Sequence, residues 1–550
     1  MPQDIYDKIM MLAKRRGFIY PSSEIYGGIA GFYDYGPAGS QLKNNVENLW
    51  RYFFVLQDNC IEITTPTITL FEVLQASGHV DEFTDLTVDC VKCKQSYKVE
   101  DIIGESVSVE QAVADNSIIC PSCGAQLSNA HPVNLMFSTV IGLSEGRKAF
   151  LRPETAQGIF TNFHLLYRYK REKLPFGVVQ IGKGYRNEIS PRQGTLRQRE
   201  FAMAEAEIFF DPSNKTHPRF DDVKETQLFL FDNTKEMKMT LEKAVDNKVI
   251  NNQALAYYMY LTQKFLFAAG IDPDKFRFRK HGDHELAHYA SECWDVELLS
   301  DRFGWVEVVG IADRSAYDLN SHIESSGTDM YAQRKFDTPK INETKTIVAK
   351  MNVLGPRFQQ NAGKIKQALE SMKPSQSSHL SVTIDGEEID VPADCYEIVE
   401  KKEKITGEKF VPHVIEPSFG IDRVLYFILE HNYQEMEKKG EEYRVLTLRP
   451  QMAPIKTGVF PLISDDKLVA IAHRIDITLR EAGIATYYDE GGTIGRRYAR
   501  MDEIGTPFCI TVDHESLKDN MVTVRNRDTA EQNRVHIDSL VTFLSSELKK

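Results

Sequence analysis

Eight cysteines in 550 residues are too few and too scattered for a disulfide scaffold, which points to a reducing, cytoplasmic setting. No apolar run approaches the roughly 18 residues that a membrane-spanning helix needs. The N-terminus, Met1-Pro-Gln-Asp-Ile-Tyr-Asp, lacks a basic region followed by an apolar stretch, so no secretory signal is expected. Positive charge is also in deficit: 66 lysines and arginines face 79 acidic residues, a net charge of −13. That excludes a generally basic nucleic-acid binder but leaves local basic clusters free to meet RNA phosphates. Internal repeats and low-complexity segments are missing too. What remains is ordinary globular material, 42% hydrophobic and 26% charged, enough for about two to four domains.

One stretch organises the rest. Tyr185-Arg-Asn-Glu-Ile-Ser-Pro-Arg-Gln-Gly-Thr-Leu-Arg-Gln-Arg-Glu-Phe201 reads as two antiparallel strands joined by a long polar loop over Ser190 to Gly194. Alternation along a strand puts Arg186 and Glu188 on one face. Downstream, Met203, Glu205 and Glu207 alternate with Ala204, Ala206 and Ile208. Arginines, a carboxylate and an aromatic ring on one face suit a nucleotide, because guanidinium grips phosphate in a fork while the ring stacks on a base. The competing reading is a surface hairpin laced with ion pairs of little energetic value.

Upstream, Ile5 to Arg16 reads as a short helix ended by Gly17. Leu42, Val46, Leu49, Trp50, Phe53 and Phe54 then mark a helix with a broad apolar face, leading into a strand at Cys60-Ile-Glu-Ile-Thr-Thr-Pro66. Cys90-x-x-Cys93 and Cys120-x-x-Cys123 fit a tetrahedral thiolate zinc site of the ribbon type, structural because four protein ligands leave no open position. Cys60, Cys293, Cys395 and Cys509 are read as core residues. Leu151-Arg-Pro-Glu154-Thr-Ala-Gln157 suits a helix start, and Tyr167 to Lys173 a solvated helix end. The segment from Asp211 to Gly270 reads as a helical insertion outside the sheet. His281, His284 and His288 include the letters His-Glu-x-x-His, yet the catalytic context of a zinc protease is absent. Cys293 to Leu299 and Trp305 to Arg314 read as successive strands. Asp385-Gly386 is a hairpin turn. Glu416-Pro-Ser-Phe-Gly420-Ile-Asp-Arg423 enters an apolar helix whose N-terminus favours anions. After about residue 441, strands alternate with helices as in a small, mostly parallel α/β domain. Its basic residues are Arg496, Arg497, Arg500, Arg525, Arg527 and Arg534.

Arg-Asn-Glu, a loop and Arg-x-Arg-Glu-Phe resemble the second signature motif of class II aminoacyl-tRNA synthetases. Arg-Glu-Phe-Ala-Met-Ala-Glu resembles the glycine-specific family within that class. The resemblance covers most of the chain and weakens over about 211–275 and 329–411. It implies an α+β fold: an antiparallel catalytic sheet flanked by helices, a zinc-ribbon-like insertion and a C-terminal α/β anticodon-binding domain. The implied division is 1–85 (catalytic core with dimer motif), 86–135 (zinc), 136–328 (core with the second motif), 329–411 (inserted module), 412–440 (third motif) and 441–550 (anticodon binding). The implied activity is ATP-dependent attachment of glycine to tRNA(Gly) through an adenylate, by a homodimer that uses ATP and Mg2+ and carries structural Zn2+.

By the same resemblance Arg186 holds the α-phosphate, Arg423 the terminal phosphate, Phe201 stacks on adenine and Glu188 reads its amine. Asn187, Leu196, Arg197, Gln198, Arg199, Glu200, Leu298, Gly420, Ile421 and Asp422 complete the ATP site, with Glu297 as magnesium ligand. Lys98, Glu154, Phe201, Ala202, Met203, Ala204, Glu205, Glu416, Pro417, Ser418, Phe419 and Gly420 line the amino-acid pocket. Lys98 departs from the family, which usually has arginine there, and lysine cannot form the fork. Two rivals stand beside this reading. A sister class II synthetase for proline, threonine or histidine would share the ATP residues, and a non-catalytic relative would have lost Arg186, Glu297 or Arg423.

Overall fold

The computed structural model describes residues 4–103, 119–143, 146–189, 191, 193–282, 285, 290–372, 379–438 and 441–549. His284 and His288 lie outside them. The chain forms two compact units, Met1–Met330 with Val411–Lys550, and Tyr331–Phe410.

The first unit is built on a nine-stranded sheet of β1 (Ile61–Glu62), β2 (Phe176–Tyr185), β3 (Glu200–Phe210), β4 (Gln227–Phe231), β5 (Glu236–Thr240), β6 (Phe276–Lys280), β7 (Glu292–Ser300), β8 (Gly304–Ser315) and β9 (His413–Gly420). Their order is β5-β4-β6-β7-β8-β9-β3-β2-β1. Pairing is antiparallel except at β1–β2 and β4–β6. The central strands pair residues far apart in sequence: Met203 faces Gly420, and Gly310 faces both Asp295 and Ser418.

Four helices matter to the site. In α1 (Ile5–Arg16) the Asp4 carboxylate accepts from the Asp7 N–H, and Gly17, with φ 76°, ends the helix as glycine does at a left-handed cap. In α2 (Pro37–Arg51), Gly39 lies so close to Phe18 that a Cβ would sit 1.9 Å from the Phe18 carbonyl oxygen. Its Leu42, Val46 and Trp50 pack into the core, where Trp50 stacks on Phe54 at 4.6 Å. The expected strand from Cys60 shrinks to the two residues of β1.

The region 211–275 corrects the sequence reading. Rather than an outside helical insertion, it supplies β4 and β5 at one edge of the sheet and a core helix, α3 (Gln253–Ala269). Twelve of α3's side chains are buried, and a helix apolar on all sides belongs inside. The fourth helix, α4 (Ile421–His431), is almost wholly buried against the sheet.

Residues 457–548 form a five-stranded sheet with helices Asp466–Glu481 and Leu540–Glu547. It is mixed rather than mostly parallel: two pairings are parallel and two antiparallel. The second unit, in the stretch expected to hold an inserted module, has a long antiparallel strand pair, Ala332–Ala349 with Tyr396–Phe410. Asp385 and Gly386, at φ 53° and 93°, form the tight turn between two further strands. No described helix is long and apolar enough to cross a membrane.

Candidate active site

The centre of the large sheet, with the loop before β3, walls a cavity of about 310 Å³. Arg186, Glu188, Leu196, Arg197, Gln198 and Phe201 line one end, with Glu307 and Arg423 beside them. Glu154, Met203, Glu205, Gly310, Ala312, Arg314, Glu416 and Ser418 line the other. His281, Cys293 and Asp295 form part of the wall.

The first end is cationic. The Arg186 guanidinium lies over the rings of Phe83 at 5.3 Å and Phe201 at 5.4 Å, a cation–π arrangement that holds it without neutralising it. Gly184 permits this, since a Cβ there would meet the Phe201 ring at 2.7 Å. Among the described residues no carboxylate pairs with Arg186. Arg423 donates to the carbonyls of Leu196 (3.0 Å) and Glu307 (2.7 Å), and its nearest carboxylate oxygen, on Glu307, is 3.7 Å away. Glu188 accepts from Arg197 Nε at 2.9 Å, and Arg197 also binds Asp101.

The second end is a buried carboxylate cluster around one arginine. Arg314 donates to both oxygens of Asp318 (2.7 and 2.9 Å) and to Glu416 Oε2 (2.8 Å). Glu205 accepts from the Thr155 N–H and the Ser418 hydroxyl, each at 2.7 Å, and from the Thr155 hydroxyl. Gln157 links Glu154 to Asp318. Burial, opposed by Arg314 and reinforced by Glu205 and Glu154, lifts the Glu416 carboxyl to about 7. Burial and the Glu154 charge raise Glu205. Glu154 goes the other way: burial pushes it up, but His79 (3.4 Å), Arg314 and Gln157 together hold it well below the usual range. Glu207, fully buried with neither oxygen hydrogen-bonded among the described residues, is driven well upward by burial and Glu416.

Several residues expected in the site are elsewhere. Arg199 donates to the backbone oxygens of Glu188 and Ala30 and so braces the loop. Glu200 pairs with Lys183, the Asn187 N–H donates to the Leu135 carbonyl, and Lys98 bridges Asp85 and Glu100. Leu298, Ile421, Phe419 and Ala204 are fully buried core residues, and Pro417 is buried outside the cavity wall. Asp422 lines the cavity, but its carboxylate is taken by the Ala202 N–H (2.7 Å) and the Tyr35 hydroxyl (2.5 Å). Both oxygens of Glu297 are engaged, one by Arg277 at 2.8 Å and the other by Arg279 at 3.1 Å. Of the cross-strand pair Glu297 and Glu307, Glu307 is the one that lines the cavity.

Sequence reasoning missed the wall from β7 and β8: Asp295, Glu307, Val308, Gly310, Ala312 and Arg314. The signal was there in Gly310, Ala312 and Arg314, alternate residues that must share a strand face. Cys293, expected in a core, also lines the cavity.

At the insertion, Cys90, Cys93, Cys120 and Cys123 bring their sulfurs within 4.8 Å of one another. Cys90 and Cys123 are 3.4 Å apart and Cys93 and Cys120 3.6 Å. That is far beyond a disulfide bond of about 2 Å and close to the ~3.8 Å edge of a tetrahedron built on zinc–sulfur bonds of ~2.3 Å. The four fit a metal ion. In the C-terminal domain Arg525 makes a buried two-point pair with Asp502, and the buried Arg497 and Arg527 bind backbone carbonyls. Arg500 and Arg534 pair with aspartates. Of the six arginines, Arg496 alone is exposed with no ion pair among the described residues.

Residues 139–432 match the tRNA synthetase class II core domain (G, H, P, S and T), and residues 453–547 match the anticodon binding domain. A glycine–tRNA ligase of Methanocaldococcus jannaschii is 46% identical with both chains covered in full. Those of Methanothrix thermoacetophila and Archaeoglobus fulgidus are also 46% identical, over 98% of this chain and 96% and 97% of theirs. The chain belongs to the glycine–tRNA ligase family. The matched core segment includes the loop between β2 and β3 and the β9–α4 junction.

Proposed function

We propose that this chain attaches glycine to tRNA(Gly), using ATP, through a glycyl-adenylate. The observation that carries the reading is the polarity of one cavity: at one end Arg186, held by two rings with no carboxylate partner among the described residues, and at the other carboxylates around an arginine. Triphosphate suits the first end, where Arg186 reaches the α-phosphate and Arg423 the terminal phosphate. The ring of Phe201 offers a face for adenine, and Glu188 accepts from its amine. Glycine's ammonium suits Glu154, Glu205 and Glu416, with Ser418 beside them. Its carboxylate then attacks the α-phosphorus and pyrophosphate leaves. The adenylate passes glycine to the terminal ribose of tRNA. No enzyme nucleophile is needed, so positioning and charge stabilisation supply the catalysis.

Larger amino acids are excluded sterically, which is easier than rejecting a smaller competitor. Class II synthetases use Mg2+ with ATP. Glu297 can hold that ion only by releasing an arginine, whereas Glu307 offers an oxygen ligand of the kind magnesium takes. The Cys90, Cys93, Cys120 and Cys123 set holds zinc and folds the 86–135 insertion. Segments 1–85, 136–328 and 412–440 form the catalytic core, and 441–550 reads the anticodon. Exposed Tyr52 and Leu56 just beyond α2 suit a homodimer contact, and eight free thiols suit the cytoplasm.

Pyrophosphate exchange measured with each of twenty amino acids tests the reading. Glycine alone should support exchange. Exchange with proline, threonine or histidine would transfer the chain to a sister activity, and turnover without any amino acid would end the proposal.

A further inference from the structure

We propose that His281, Cys293 and Asp295 form a second metal site, open towards the cavity, for a divalent cation of zinc-like chemistry. The inference does not rest on the reaction proposed above. The His281 N–H donates to the Cys293 carbonyl at 3.0 Å, so the two face each other where β6 ends against β7. Cys293 and Asp295, two apart on β7, share a face. One nitrogen, one sulfur and one oxygen thereby come within 4.8 Å of one another.

The groups have coordination capacity to spare. His281 Nε2 and Arg279 both bind Asp295 Oδ2, at 2.7 and 3.3 Å, and among the described residues Oδ1 has no hydrogen-bond partner. His281 Nδ1 is buried and likewise has none. On the neighbouring strand, Ala312 and Gly310 stand opposite Cys293 and Asp295, so that strand lays no bulky side chain over the set. Arg279 is the competing cation, but Glu285 (2.9 Å) and Glu297 (3.1 Å) also hold it.

Three protein ligands with a free direction into a cavity make an open tetrahedral site, unlike the closed four-cysteine set. The thiolate selects zinc or cobalt(II) over magnesium, which prefers oxygen. On binding, the thiol proton and the proton between imidazole and carboxylate pass to solvent, where they can be counted.

The test uses full-length, reduced protein, stripped by chelator and equilibrated with zinc or cobalt(II), with metal counted per chain. Wild type should hold one more equivalent than Cys293→Ser, and Cys93→Ser should keep that equivalent. Cobalt in this site should give a thiolate charge-transfer band that shifts when azide fills the open position. Asp295→Asn, which preserves shape, should weaken this equivalent by 10-fold or more. Equal metal counts in wild type, Cys293→Ser and Asp295→Asn would overturn the site.

Discussion

The two ends of the cavity are built on opposite principles. At the carboxylate end, Arg314 makes three charge-assisted hydrogen bonds within the protein, all of them buried. At the arginine end, Arg186 rests between two aromatic rings with no described carboxylate against it. The charge of Arg314 is spent on the protein's own carboxylates, so this arginine shapes space. A cation held by rings keeps its charge for whatever arrives. The chain thus separates an arginine spent on its own carboxylates from one left without a carboxylate among the described residues.

The comparison breaks most severely at Arg314. Arg314→Met strands Asp318 and Glu416 as buried charges, and removing one partner of a buried pair costs about 3–5 kcal/mol. Chemical denaturation should show that loss, and a loss under 1 kcal/mol would mean the network holds nothing. Arg186→Ala should do the reverse. Stability should hardly change, while pyrophosphate exchange falls on the order of 10²–10³-fold, the usual effect of deleting one preorganised donor. Near-normal exchange would remove Arg186 from its role.

The smallest effect is pH dependence, and the carboxylate end predicts two opposite slopes. Glu416 has its folded pKa raised from 4.5 to about 7. Its contribution to stability is therefore complete below pH 4.5 and lost as pH rises through about 7. Glu154, held low, contributes above its unfolded value and loses that contribution as pH falls. Thermal melts of wild type and Glu416→Gln between pH 4.5 and 8 should diverge, with the variant losing less stability on the alkaline side. Parallel curves would show that Glu416 titrates normally.

Much of this was legible in the sequence because it depends on near neighbours. The end of helix α1 follows from Gly17, the metal-ligand set from two Cys-x-x-Cys spacings, and the common face of Met203 and Glu205 from strand alternation. The errors arose where a distant partner decided. Gln227 to Phe231 became strand because β6 lay beside it to pair with. Arg497, Arg525 and Arg527 look like a phosphate-binding set until Asp502 and buried carbonyls claim them. Glu297 looks like a free ligand until Arg277 and Arg279 close on it from β6.

The sequence by itself determined which chemical groups exist and how they alternate along each strand and helix, since backbone periodicity is local. Only the tertiary structure decided which charges were neutralised. Ion pairing depends on contacts between strands such as β6 and β7, or β8 and β9, whose register no local pattern contains.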